Sequence, residues 1–139
     1  MKNKYVLDTS AIFTFLEDEP GADDVESLLD KAEEGGAVIF LSFMTFAEVY
    51  YISFRKRGKD VAERRVQELF MMPVIRVDSN AESSYVAGRI KASRRMSMAD
   101  AWIAALAKIK KAALVHKDPE FESIENEVEV LKLPYKNAN

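Results

Sequence analysis

The sequence contains no cysteine, which excludes disulfides and thiolate metal sites alike. It has a single histidine, His116, so an all-histidine zinc centre is excluded too. No apolar run approaches the ~20 residues that a membrane helix needs. The first residues lack the basic stretch, long apolar core and small-residue cleavage site of a secretory signal. There is no internal repeat, low-complexity tract or linker. What remains is a 139-residue chain, 48% hydrophobic and 31% charged, read as one domain over 1–139 with enough length to bury a core. The expectation is a cytoplasmic protein with no membrane association.

A strong positive balance is also missing, because the net charge is −3. Taken as a whole, that argues against a polyanionic partner, but the distribution is uneven. Residues 1–34 hold 3 Lys/Arg against 10 Asp/Glu, whereas residues 55–111 hold 14 against 6. The second region carries clusters at Arg55-Lys56-Arg57 with Lys59, at Arg64-Arg65, and at Arg89, Lys91, Arg94 and Arg95. A polyanion can bind one face of such a chain while the total stays acidic. The alternative is that these residues form solvated outer helix faces.

Hydrophobic periodicity gives an alternating order of elements. Strands are expected at 5–7, 38–41, 74–77, 113–115 and, more weakly, 128–131. Helices are expected at 10–16, 22–34, 42–57, 60–71 and 98–111. A further helix is opened by Ser79-Asn80-Ala81-Glu82, which has capping-box form, and runs toward Arg94. Gly35-Gly36, Gly58 and Pro73 supply the stops. Strands separated by helices imply a three-layer α/β/α fold around a mostly parallel sheet of 4–5 strands. In such sheets the functional crevice lies outside the carboxyl ends of the strands.

Four carboxylates point to that edge. Asp8 directly follows the first strand, where it also suits the N-cap of the next helix. Glu48 is the single charge in the stretch 43–54, and its neighbours at three and four residues (Met44, Thr45, Tyr51, Ile52) offer no cation. A semi-buried carboxylate without a partner is costly; the competing role is the acidic half of a Thr45–Glu48 capping box. Asp100 repeats the pattern in the small apolar run 98–107, again with a competing capping role through Ser97. Asp118 follows the fourth strand in Asp-Pro, a common turn former. Acids converging on one edge repel each other unless a cation sits among them. An all-oxygen donor set selects Mg²⁺ or Mn²⁺, which suits phosphodiester chemistry. Spacings of 40, 52 and 18 residues do not by themselves establish convergence.

At these residues the sequence resembles the PIN-domain family, particularly its prokaryotic VapC-type toxins. Tyr5-Val6-Leu7-Asp8-Thr9-Ser10-Ala11 is similar to the family's opening strand end, and Phe46-Ala47-Glu48-Val49 to its helical Glu motif. Ser97-Met98-Ala99-Asp100-Ala101-Trp102-Ile103-Ala104-Ala105 resembles the Ala-Asp-Ala signature, the most specific of the four. Asp118-Pro119-Glu120-Phe121 resembles the closing Asp-x-Asp-Phe motif, with Glu120 in place of the usual Asp. The resemblance implies an Mg²⁺- or Mn²⁺-dependent endoribonuclease acting on RNA, a homodimer, and a cognate antitoxin that covers the active site. It implies that Asp8, Glu48, Asp100 and Asp118 are catalytic and metal-holding. Ser10, Lys117 and Glu120 become supporting or substrate-facing groups. His116-Lys117 departs from the small polar residues that many members carry there; for His116 a packed role is favoured, and for Lys117 a phosphate contact competes with a solvated turn.

Three other readings of these acids compete. A haloacid-dehalogenase-like phosphatase needs a second Asp two residues after the first, and Ser10 stands there. A response-regulator receiver needs paired acids after its first strand, which are missing. The serious alternative is a non-catalytic PIN-like module that binds RNA or protein, and intact acids at all four motif positions weigh against it.

Overall fold

The computed structural model describes residues 3–135. Five strands, β1 (Lys4–Leu7), β2 (Val38–Ser42), β3 (Ile75–Val77), β4 (Ala113–His116) and β5 (Val130–Lys132), form one sheet in the order β3-β2-β1-β4-β5. All four strand pairs are parallel. Between them run α1 (Thr9–Leu16), α2 (Ala22–Glu33), α3 (Phe43–Arg57), α4 (Lys59–Met71), α5 (Ala81–Ala92) and α6 (Met98–Lys110). A short 3₁₀ helix, Pro119–Ile124, follows β4 and has no counterpart in the sequence-based expectation.

Both faces of the sheet are covered, as continuous apolar strands require. Val6 pairs in register with Phe40 and Leu114, and these three face α5 and α6 through Ala87, Ile90, Ile103 and Ala104. The alternate residues Leu7, Ile39, Leu41 and Val115 face the other way, onto Ala11, Ile12, Val25, Val49 and Leu69 of α1 to α4. The chain first steps from β1 outward through β2 to β3, then returns across the sheet to β4 and β5. Right-handed crossovers in opposite directions put their helices on opposite faces. The reversal falls between β1 and β4, so the crevice of this sheet opens beyond Leu7 and His116.

Local details differ from the sequence reading at three caps. Ser42, not Thr45, caps α3, its hydroxyl accepting from the Met44 amide at 3.1 Å. Glu48 therefore sits beyond the first turn and has no capping role. Ser97 does cap α6, accepting from the Asp100 amide at 3.0 Å, but the Asp100 carboxylate does not return the bond. The capping box of α5 is formed by Asn80 and Ser83 rather than by Ser79 and Glu82.

Candidate active site

Chain direction places the acids. Asp8 is the first residue beyond β1, and its amide still donates to Val115 O of β4 at 3.1 Å, which fixes the strand end. As N-cap of α1 it accepts from the Ala11 amide at 2.8 Å, and the Ser10 hydroxyl lies 2.8 Å from both of its oxygens. Capping and site membership coincide here, because the helix start lies at the sheet edge. The Ser10 hydroxyl also accepts from the Lys117 amide at 2.9 Å, tying the β1 end to the β4 end. Asp8 is 2% exposed.

Glu48, lacking a partner on its own helix, finds one on the next. The Thr9 hydroxyl donates to Glu48 Oε1 at 2.6 Å, and the Thr45 hydroxyl lies 3.2 Å from Thr9 Oγ1. Thr45 is thus a buried member of the same link, not a cap. Asp118 accepts from the Glu120 amide at 2.9 Å as it opens the 3₁₀ helix, and its own amide donates to His116 Nδ1 at 3.1 Å. His116 is fully buried against Phe121 and is a packing and orienting residue; no partner of its Nε2 is found among the described residues.

One carboxylate oxygen each of Asp100, Asp118 and Glu120 lie within 4.8 Å of one another. Glu120 is held near by the 3₁₀ helix, and its Oε1 accepts from the Ser97 amide at 3.4 Å. Burial first, and crowding second, raise the carboxyls of Asp8 and Asp100. Burial pushes the Asp8 carboxyl up to about 7, against the lowering effect of its bonds from Ser10 and Ala11. Burial also raises Asp100 well above the usual carboxylate range, helped by its hydrogen bond with Glu120 and by the charges of Asp118 and Asp8. An ion among these oxygens would remove the repulsion, and an all-carboxylate set of this spacing fits a hard divalent cation.

The four predicted acids, with Ser10, Lys117 and Glu120, line one cleft of about 760 Å³. The structure brings all seven together. Lys117 is not a solvated turn residue: it is 8% exposed, and its ammonium lies 3.3 Å from Glu19 Oε1 on the cleft wall. Of the basic clusters noted in the sequence, Lys56, Arg57 and Arg65 line the cleft. Arg94 instead pairs with Glu127, and Arg89 and Lys91 lie on α5, on the opposite side of the sheet. Thr9, Glu17 and Tyr135 also line the cleft and were not anticipated. Thr9 lies within the motif around Asp8, whereas Glu17 and Tyr135 carry no signal in the sequence beyond polarity.

The PIN domain family model matches residues 5–127. No curated protein matches the sequence. Among solved structures, VapBC-1 of nontypeable Haemophilus influenzae is similar with 24% identity and a TM-score of 0.70, covering 93% of this chain and 97% of the other. DNA-bound VapBC of Salmonella typhimurium matches at 19% identity and TM-score 0.74, covering 95% and 98%. VapC20 of Mycobacterium tuberculosis, a toxin that cleaves the sarcin-ricin loop, matches at 17% identity and TM-score 0.69, covering 91% and 98%.

Proposed function

The chain belongs to the PIN-domain family, and from that footing we propose that it is a metal-dependent endoribonuclease, the toxin of a toxin-antitoxin pair. The observation that carries this reading is the convergence of Asp8, Glu48, Asp100, Asp118 and Glu120 in one cleft at the switch point of the sheet, three of them within 4.8 Å. Asp8, Asp100 and Asp118 would hold Mg²⁺ or Mn²⁺, with Glu48 and Glu120 completing the oxygen set. When bound, such an ion supplies a water of lowered pKa and stabilises charge on a phosphodiester.

The chain's own residues do the rest. Ser10 and the Ala11 amide fix the rotamer of Asp8, and Thr9 does the same for Glu48. His116 orients the turn that presents Asp118. Lys117, anchored by Glu19, adds a buried positive charge beside the acids and favours a phosphate there. Hydrolysis then adds water across one P–O bond, the leaving oxygen taking a proton.

The similar solved structures include members of the VapBC family of toxin-antitoxin systems and a toxin that cleaves the sarcin-ricin loop, which supports RNA as substrate and an antitoxin as partner. A homodimer working in the cytoplasm completes the proposal. The test is incubation of the purified protein with total RNA in Mg²⁺, in Mn²⁺ and in chelator. Cleavage is expected with either ion and not with chelator. RNA binding without cleavage in either ion would favour the non-catalytic module instead.

A further inference from the structure

The cleft has a second end, and its residues are built as carefully as those around the acids. Helices α1 and α3 start together at the acid end, where Thr9 meets Glu48, and they are still together at their far ends, where Glu17 meets Arg57. The two contacts are separated by eight residues on α1 and nine on α3, about 12–14 Å of helix. The cleft is lined along this whole length, by Phe13 on α1 and by Ile52 and Ser53 on α3.

At the far end two guanidiniums converge on one carboxylate. Arg57 Nε donates to Glu17 Oε2 at 3.1 Å while its Nη2 pairs with Oε1. Arg65 Nη2 lies 2.7 Å from Glu17 Oε2, and its Nη1 donates to the buried Ser53 hydroxyl at 3.3 Å. The Arg65 guanidinium also sits 6.0 Å from the centre of the Phe13 ring, and its side chain is 12% exposed against 51% for Arg57. Gly58, with φ +92°, makes the tight turn from α3 to α4 that brings Arg65 beside Arg57. Two cations thus face Glu17, Lys56 also lines the cleft, and Glu19 is engaged by Lys117.

We propose that this far end is a phosphate subsite, in which Arg57 and Arg65 hold a backbone phosphate of single-stranded RNA beyond the one adjacent to the scissile phosphate, and Glu17 acts as an internal competitor. A carboxylate held by one arginine fork and a second guanidinium occupies the geometry that a phosphate takes. At a distance of about 12–14 Å along the helices from the acid end, the phosphate bound here lies beyond the one adjacent to the group at the acids. Glu17 stays ionised, its carboxyl held below the usual range by the Arg57 hydrogen bond against some burial and by Arg65. With two arginines around one acid, the site keeps a net positive charge that attracts a polyanion, and both guanidiniums are ordered before it arrives. The identity of the ligand rests on the nuclease reading; the existence of an anion subsite does not.

The test measures binding of a short fluorescent single-stranded RNA in chelator, where nothing is cleaved, across a salt series. Arg57→Ala should weaken binding about tenfold and lower the slope of log K against log salt by about 0.7, one phosphate contact. Glu17→Gln should bind more tightly than the wild type. Lys91→Ala, which removes one exposed charge from the opposite side of the sheet, should change affinity far less than Arg57→Ala. Thermal melts confirm that each variant is folded. Equal effects of Arg57→Ala and Lys91→Ala, or weaker binding by Glu17→Gln, would overturn the subsite. Tighter binding of penta-glutamate than of an RNA of equal charge, lost in Arg57→Ala, would overturn RNA as its ligand. Cleavage by the wild type in Mg²⁺ is scored separately, so loss of the nuclease reading and loss of the subsite give different results.

Discussion

The Thr9 hydroxyl donates a 2.6 Å hydrogen bond to Glu48 Oε1, joining the first residue of α1 to the second turn of α3. Glu48 has no cation at three or four residues on its own helix, and this bond from the neighbouring helix is what holds its carboxylate toward the cleft.

Thr9→Val keeps the branched shape and removes the donor. Thr9 is 8% exposed, so the substitution also leaves the Thr45 hydroxyl to find another partner. Loss of such a ligand-orienting bond typically costs 10–100-fold in metal affinity or activity. The expected result is an apparent Mg²⁺ affinity for RNA cleavage lowered by about that factor, with a melting temperature within a few degrees of wild type. An unchanged Mg²⁺ dependence would show that Glu48 needs no positioning by Thr9.

Ser10 makes a different kind of link. Its hydroxyl touches both Asp8 oxygens and accepts from the Lys117 amide, so it locks the ends of β1 and β4 together. Ser10→Ala removes all of these and leaves the buried Lys117 N–H without its acceptor. An unsatisfied buried donor costs about 1–3 kcal/mol. Both stability and cleavage should fall, and Ser10→Thr, which restores the hydroxyl, should recover cleavage in greater part than stability. Denaturant unfolding beside single-turnover cleavage measures the two separately.

The raised carboxyls set a pH dependence of stability with a definite sign. The native Asp8 carboxyl titrates near 7 and its unfolded counterpart near 3.8, so between these values the folded chain binds more protons. Stability from this group therefore falls as pH rises from about 4 to about 7, and Asp100, raised in the same sense, adds to the fall. Metal-free protein should melt higher at pH 5 than at pH 8. A change of 1 kcal/mol moves the midpoint of a domain this size by about 4 °C. Mg²⁺, which competes with these protons, should raise the midpoint more at pH 8 than at pH 5. Asp8→Asn should flatten the metal-free profile.

Much of this was legible in the chain because it rests on local pattern. Short apolar runs gave the five strands, and an acid placed just after a strand, as in Asp8 and Asp118, is carried to the functional edge by parallel topology alone. Glu48 and Asp100 were visible as charges in apolar helices. What the sequence hid depends on contacts between distant residues. Glu17 meets Arg57 and Arg65 across 40 and 48 positions, and nothing near any of the three announces the meeting. For Lys117 the sequence leaves a phosphate contact and a solvated turn both open, because its burial beside Glu19 has no local signature. Glu120 stands apart from the four main acids in the sequence because it departs from the usual Asp of the motif, and the 3₁₀ helix that sets it beside Asp100 and Asp118 is too short to show a period. The basic stretch was legible as charge but not as geometry, since much of α5 lies behind the sheet and Arg94 pairs with Glu127.

The most direct measurement is Asp100→Asn assayed for Mg²⁺-dependent RNA cleavage alongside its metal-free melting temperature. Asn is isosteric, and the Ser97 cap bonds the residue 100 amide, which the substitution leaves in place. If Asp100 belongs to a metal-holding cluster, cleavage disappears while the metal-free protein melts at the same temperature or higher, because the cost of burying a carboxylate and its repulsion from Asp118, Asp8 and Glu120 are both removed. Undiminished cleavage, with or without a change in stability, would contradict the catalytic assignment of the cleft.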